Sequence, residues 1–100
     1  MMFSLVVRLK AKQGKEKDVE RMMREVSEKV RQNEKDTVMY DMHHKVGDPT
    51  EMLLYERYTD RNAWEVTHMS KPYIKELLDE LAEYIERAPE VTEYEVVGTM

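Results

Sequence analysis

The chain has 100 residues, 37% of them charged and 41% apolar, with a formal net charge of -5 and no cysteine. One domain is expected from that length, and the acidic balance argues against nucleic acid or an anionic membrane as main partner. Without cysteine there is no disulfide frame, thiol nucleophile or thiolate metal site. No apolar run reaches the roughly 20 residues of a membrane helix. The opening Met-Met-Phe-Ser-Leu-Val-Val-Arg is too short in its apolar part for a signal peptide, so a cytoplasmic protein is expected.

Phe3 to Lys12 alternates, with Phe3, Leu5, Val7 and Leu9 on one face and Ser4, Arg8 and Lys10 on the other, which is the pattern of a half-buried strand. Arg8, Lys10, Lys12, Lys15 and Lys17 crowd its end and read as a solvated edge. Gln13-Gly14 breaks the strand. From Lys15 the period becomes helical, with Val19, Met22, Met23, Val26 and Val30 on one stripe. Burying these side chains contributes about 1.5–3 kcal/mol each, enough to hold the helix on a sheet. The Met pair reads as core filling, with a flexible ligand wall as the alternative.

Asn33 to Asp36 reads as a polar loop. Thr37 to Val46 alternates again, placing Val38, Tyr40, Met42, His44 and Val46 on one face. Gly47 to Thr50 reads as a turn and Met52 to Tyr58 as the second strand of a hairpin. Asp60 is a suitable N-cap for a short helix carrying Trp64 and His68. Ser70 is the expected cap of the next helix, with Pro72 in its first turn. That helix has Tyr73, Leu77, Leu81 and Ile85 as its stripe, widened by Ile74, Leu78 and Tyr84, and Pro89 ends it. Val91 to Gly98 is the last strand.

The order strand, helix, strand, strand, helix, strand packs economically as a ferredoxin-like α+β sandwich, a βαββαβ arrangement with both helices on one face of an antiparallel sheet. Apolar residues on both registers, as in Leu53-Leu54 and Val96-Val97, call for cover on the other face. A homodimer is the expected answer.

Several stretches resemble the antibiotic biosynthesis monooxygenase family of small dimeric α+β barrels. Tyr40-Asp41-Met42-His43 is similar to the family's second strand, which follows a loop where many members carry a Glu-Pro-Gly-like turn; here the loop is Asn33-Glu34-Lys35-Asp36. Leu54-Tyr55-Glu56-Arg57-Tyr58 resembles the third strand. Arg61-Asn62-Ala63-Trp64 followed by His68-Met69-Ser70-Lys71-Pro72-Tyr73 resembles the helix entry, and Val91 to Val97 the closing strand. The resemblance implies a pocket between helices and sheet, and oxygenation of quinols or phenols with no metal, flavin or haem cofactor. It equally covers members that degrade haem, process signalling molecules or have no established reaction. The haem-degrading branch uses an Asn, a Trp and a His at positions that align here with Val7, Thr67 and Leu77. Leu77 cannot ligate iron, so haem oxygenation is not expected.

Cofactor-free oxygenation needs an electron-rich substrate and a base to deprotonate it. His68 is the candidate catalytic base, because an imidazole titrates near neutrality; its alternative role is to pin the helix junction. Trp64, one turn earlier, is the candidate aromatic wall for a flat substrate. Tyr40, Tyr55 and His44 complete the candidate substrate-binding set, each with a core or interface role as the alternative. His43 and His44 cannot chelate one ion, since adjacent strand residues point to opposite faces, and no metal site is expected. Glu56, if buried, needs a partner, for which Arg8 is the candidate. The expected function is a cofactor-independent monooxygenase acting on a small aromatic phenolic or quinol-type compound. The alternatives are a non-catalytic small-molecule-binding or stress-related dimer, or an isomerase or lyase using the same base.

Overall fold

A computed structural model describes all 100 residues. The elements are β1 (Phe3–Lys10), α1 (Glu16–Asn33), β2 (Thr37–Lys45), β3 (Asp48–Tyr58), a π-helix (Ala63–His68), α2 (Pro72–Leu81) and β4 (Glu90–Glu95). The strands form one antiparallel sheet in the order β2-β3-β1-β4. This is the expected α+β arrangement. No helix is long and apolar enough to cross a membrane.

The alternation of β3 decides which sheet face is covered. Thr50, Met52, Leu54, Glu56 and Tyr58 are buried, while the residues between them are only partly so. Met52 and Leu54 join Leu9 of β1 in one core with the α1 stripe Val19, Met22, Met23, Val26 and Val30 and with Ile74, Leu77 and Leu81 of α2. A smaller cluster of Phe3, Leu5, Tyr58 and Ala63 sits at the other end of β1. Both helices therefore lie on one face, and Glu56 is an acid among apolar neighbours. The opposite face is mixed, carrying Ser4, Val6, Arg8, Leu53, Tyr55 and Arg57 by register with one another.

The chain departs from its sequence pattern in five places. The hairpin turn is Val46-Gly47, with Gly47 at φ +88°, a region glycine enters without steric cost; β3 already begins at Asp48. Its first residues stay in the sheet because Lys10 Nζ donates to Asp48 Oδ2 (3.2 Å) and Thr50 Oγ1 (2.7 Å), and Ala11 N–H to the Thr50 carbonyl (2.8 Å). In β2 a bulge between Thr37 and Met39 turns Val38 out of register with Tyr40, and Val46, in the turn, is 97% exposed. Ser70 does not cap α2; its hydroxyl donates to the Thr67 carbonyl (2.9 Å).

The helix α2 stops at Leu81, short of Ile85. The chain there pairs with the end of β1 instead: Lys12 N–H donates to the Tyr84 carbonyl (2.9 Å), Glu86 N–H to the Lys10 carbonyl (2.8 Å), and Ile85 bridges Ala11. Ile85 is buried as expected, but through a strand-like contact. Finally, β4 ends at Glu95 and Val97 is exposed, so Val96-Val97 gives no two-faced strand.

Candidate active site

The junction after β3 is built by local chemistry. Asp60 Oδ1 accepts the Ala63 N–H (2.8 Å) and satisfies one of the free donors at the start of the helical turns, as its residue type predicts. The turns then widen, with Met69 N–H donating to the Trp64 carbonyl five residues back (3.0 Å). Such π turns are uncommon and concentrate at functional sites. Lys71, before Pro72, is held extended, as the proline ring requires, so the chain bends sharply between His68 and Tyr73. Both side chains come to the same place, the carboxylate of Glu34.

Glu34 caps the far end of α1, its N–H donating to the Val30 carbonyl (2.9 Å). Its side chain turns inward and takes three donors. His68 Nδ1 lies 2.7 Å from Oε1, Thr37 Oγ1 donates to Oε1 (3.1 Å), and the Tyr73 hydroxyl donates to Oε2. On the other side of the imidazole, Nε2 is 3.8 Å from Oε1 of Glu56, too far for a direct hydrogen bond. Glu56 Oε1 instead accepts the Tyr58 hydroxyl (2.5 Å). The rings of Tyr40 and Tyr58 tilt against the imidazole at 5.4 and 5.5 Å.

The two carboxylates are driven in opposite directions. Burial pushes Glu34 up, but the hydrogen bonds from His68, Tyr73 and Thr37 and the imidazole's charge outweigh it and hold the group below its usual range. Burial dominates at Glu56 and raises it, only partly countered by Tyr58 and His68. Burial also raises Tyr40 and Tyr58, with the nearby Glu56 and Glu34 adding to the effect, so both phenols stay neutral. An ionised Glu34 can only accept, so Nδ1 of His68 carries the hydrogen of that bond. A neutral His68 therefore presents an unprotonated Nε2.

His68 lines a cavity of about 240 Å³ between the helices and the sheet. Thirteen of its sixteen lining residues are hydrophobic, and none is Lys or Arg. The polar groups in the wall are His68, Glu56 and Tyr40. Engineered apolar cavities of about 150 Å³ hold benzene, so this one has room for a small ring system. Met69, Leu78 and Val91 line it and are partly exposed, which places its mouth between α2 and β4. Leu77 is one of its apolar wall residues.

Of the residues singled out in the sequence, His68, Trp64 and Tyr40 meet at this cavity. Trp64 is stacked on Phe3 (5.5 Å between centroids) under the Arg61 guanidinium, which fixes the indole at one end of the wall. Tyr55 and His44 do not reach it. Tyr55 is odd in the β3 alternation, faces away from the helices and shares a hydrogen bond with Ser4 Oγ (3.2 Å). His44 lies near the end of β2, beyond the cavity, with Nδ1 2.8 Å from Oε1 of Glu20. Arg8 is exposed on the far face and is not the partner of Glu56. No group of three or more His, Cys, Asp or Glu side chains is arranged to hold a metal ion. Glu34 is the residue that sequence reasoning missed, since it sits in an apparently solvated loop. Its only signal was that this loop stands where the family's turn is expected.

A family model described as antibiotic biosynthesis monooxygenase matches residues 2–80. Among solved structures, a candidate antibiotic biosynthesis monooxygenase from Nitrosomonas europaea superposes with a TM-score of 0.89 at 21% identity, covering 96% of this chain and 90% of its own. One from Caulobacter crescentus gives 0.90 at 21% identity, covering 97% and 91%. A Mycobacterium tuberculosis protein gives 0.88 at 19% identity, covering 99% and 98%. At these identities the likeness establishes the fold. No functionally curated protein matches the chain.

Proposed function

The chain belongs to the antibiotic biosynthesis monooxygenase family, and from that premise we propose that it oxygenates a small phenolic or quinol-type compound in the cavity beside His68, using molecular oxygen and no cofactor. The observation that carries this reading is the setting of one imidazole. Its Nδ1 is held by Glu34 at 2.7 Å, its Nε2 makes no hydrogen bond, and the residue lines an apolar cavity. A carboxylate behind a histidine fixes the tautomer and stabilises the imidazolium that forms when the histidine accepts a proton.

In the proposed reaction His68 Nε2 takes the hydroxyl proton of the substrate. The electron-rich anion gives one electron to dioxygen, and the resulting radical and superoxide join at a ring carbon. The imidazolium returns a proton to give a hydroperoxide. His68 then removes the hydrogen on that carbon while the O–O bond breaks, and the departing hydroxide leaves as water. One oxygen atom ends in a new carbonyl and the other in water, with all four electrons supplied by the substrate. Apolar walls keep bulk water from the anion, and Trp64 and Tyr40 flank the ring.

The same reading takes the protein to act as a homodimer, joined through the helix-free sheet face. Support comes from Val6, Leu53 and Tyr55, which are partly exposed there, and from Arg57, whose Nε is buried without a hydrogen-bond partner.

The test of the activity is oxygen uptake with a panel of one- and two-ring quinols and phenols in the presence of a chelator. The expected result is enzyme-dependent uptake that His68→Gln lowers by about 100-fold or more, while its circular dichroism is unchanged. Saturable binding of these compounds without uptake would overturn the oxygenase reading in favour of a non-catalytic ligand-binding protein. Consumption of a compound without oxygen uptake would favour an isomerase or lyase.

A further inference from the structure

The cavity wall has a feature that a single-base oxygenation does not require. Two hydrogen-bonding groups stand side by side on it with nothing in the chain to satisfy them. His68 uses Nδ1 on Glu34, leaving Nε2 without a partner and, in the neutral imidazole, an acceptor. Glu56 uses Oε1 on the Tyr58 hydroxyl, leaving Oε2 without a partner. The two groups are neighbours, with Nε2 3.8 Å from Oε1. Unsatisfied polar groups in an apolar wall are costly unless a ligand supplies the missing bonds.

We propose that the cavity selects a neutral ring bearing two adjacent hydroxyls, an ortho-dihydroxy arene, with one hydroxyl on His68 Nε2 and the other on Glu56 Oε2. This deepens the reading of the cavity as the substrate site. Hydroxyls on neighbouring ring carbons project in nearly the same direction, which suits an imidazole and a carboxylate whose nearest atoms, Nε2 and Oε1, are 3.8 Å apart. Hydroxyls across a ring from each other do not. An ionised Glu56 accepts a hydrogen bond and a protonated one donates it; a hydroxyl can be the partner of either. The same wall disfavours anions: Glu34 and Glu56 lie at or behind it and no Lys or Arg lines it. A carboxylate or phosphate in place of a hydroxyl would enter next to like charge among apolar walls.

The test is anaerobic titration followed by calorimetry, with 2,3-dihydroxynaphthalene, 2-naphthol, 2,7-dihydroxynaphthalene and 3-hydroxy-2-naphthoate as probes and a chelator present. In the native protein the adjacent diol should bind about tenfold more tightly than either 2-naphthol or the 2,7-diol, the effect of one added hydrogen bond. The naphthoate should bind more weakly than 2-naphthol. In Glu56→Leu the advantage of the diol should fall to about unity while 2-naphthol still binds. Should that variant fail to fold, the double variant Glu56→Leu/Tyr58→Phe removes both partners of the bond and leaves no hydroxyl stranded. Equal affinity for diol and naphthol in the native protein, a tenfold advantage that survives the loss of Glu56, or tight naphthoate binding would each overturn the proposal. No oxygen enters these measurements. Absence of oxygen uptake would thus refute the proposed function without touching the diol preference, and loss of the preference would leave the oxygenase reading standing.

Discussion

Glu34 Oε1 lies 2.7 Å from His68 Nδ1, although the residues are 34 positions apart, and their side chains are 2% and 3% exposed. One residue ends a helix and the other ends the π-helical turn. Their contact joins the two halves of the chain at the cavity, so what disturbs it should be felt in both stability and binding.

Replacing Glu34 by alanine strands His68 Nδ1 and the hydroxyls of Tyr73 and Thr37 at once. Leaving buried donors unpaired costs about 1–3 kcal/mol each where they cannot rehydrate, so a loss of about 3 kcal/mol is expected for Glu34→Ala. In a domain of this size that lowers Tm by more than about 10 °C. Tyr73→Phe, which strands only Glu34 Oε2, should cost less, about 1 kcal/mol. Thermal melts of both variants check the order; equal Tm values for Glu34→Ala and the native protein would mean that the network does not hold the junction.

The opposed shifts of Glu34 and Glu56 predict opposite pH dependences. Glu34 is held below its ordinary 4.5, so its contribution is fully present above that value and is lost as pH falls through the lower folded value. Glu56 is raised above 4.5; its contribution is fully present below 4.5 and is lost as pH rises through the higher folded value. Urea unfolding across the acid to neutral range should show Glu56→Gln gaining on the native protein as pH rises from 4.5. The native protein should lose its lead over Glu34→Gln as pH falls through the window below 4.5. A Glu56→Gln curve parallel to the native one throughout would contradict the assignment of Glu56.

Asp60 acts on the site from a distance. Removing its cap in Asp60→Ala should cost about 1 kcal/mol and loosen the π-helical turns that carry Trp64 and His68. Hydrogen exchange is the direct measurement: the amides of Ala63 to Met69 should exchange faster in the variant, and those of α1 should not. Uniform acceleration over the whole chain would point to global destabilisation alone.

The dimer is open to a mass measurement. Sedimentation should give twice the 12.0 kDa chain mass, and Leu53→Glu, on the helix-free face, should give one chain mass with the secondary structure kept. A native protein that sediments as a monomer would remove the homodimer from the proposed function.

The sequence by itself determined what depends on short-range periodicity. The five apolar residues of α1 are all buried, β3 alternates from Thr50 to Tyr58, Asp60 caps the following turns, and the order of elements is the one expected. These features follow from which face of one element is apolar, and that is written every two or every three to four residues. His68, Trp64 and Tyr40 were legible as site candidates because few residue types suit proton transfer or ring stacking.

Only the tertiary structure decided the rest. A strand can give up a residue to a bulge, as at Val38, when the partner strand's register asks for it. A helix can stop at Leu81 although its stripe continues to Ile85, because the open end of β1 offers backbone partners to the next residues. Tyr55 and His44 fall away from the cavity for reasons of sheet face and strand end, which residue type does not encode. Above all, Glu34 is buried in what reads locally as a solvated loop. A carboxylate is stable there because His68, Tyr73 and Thr37 converge on it, and that convergence exists only once the chain has closed.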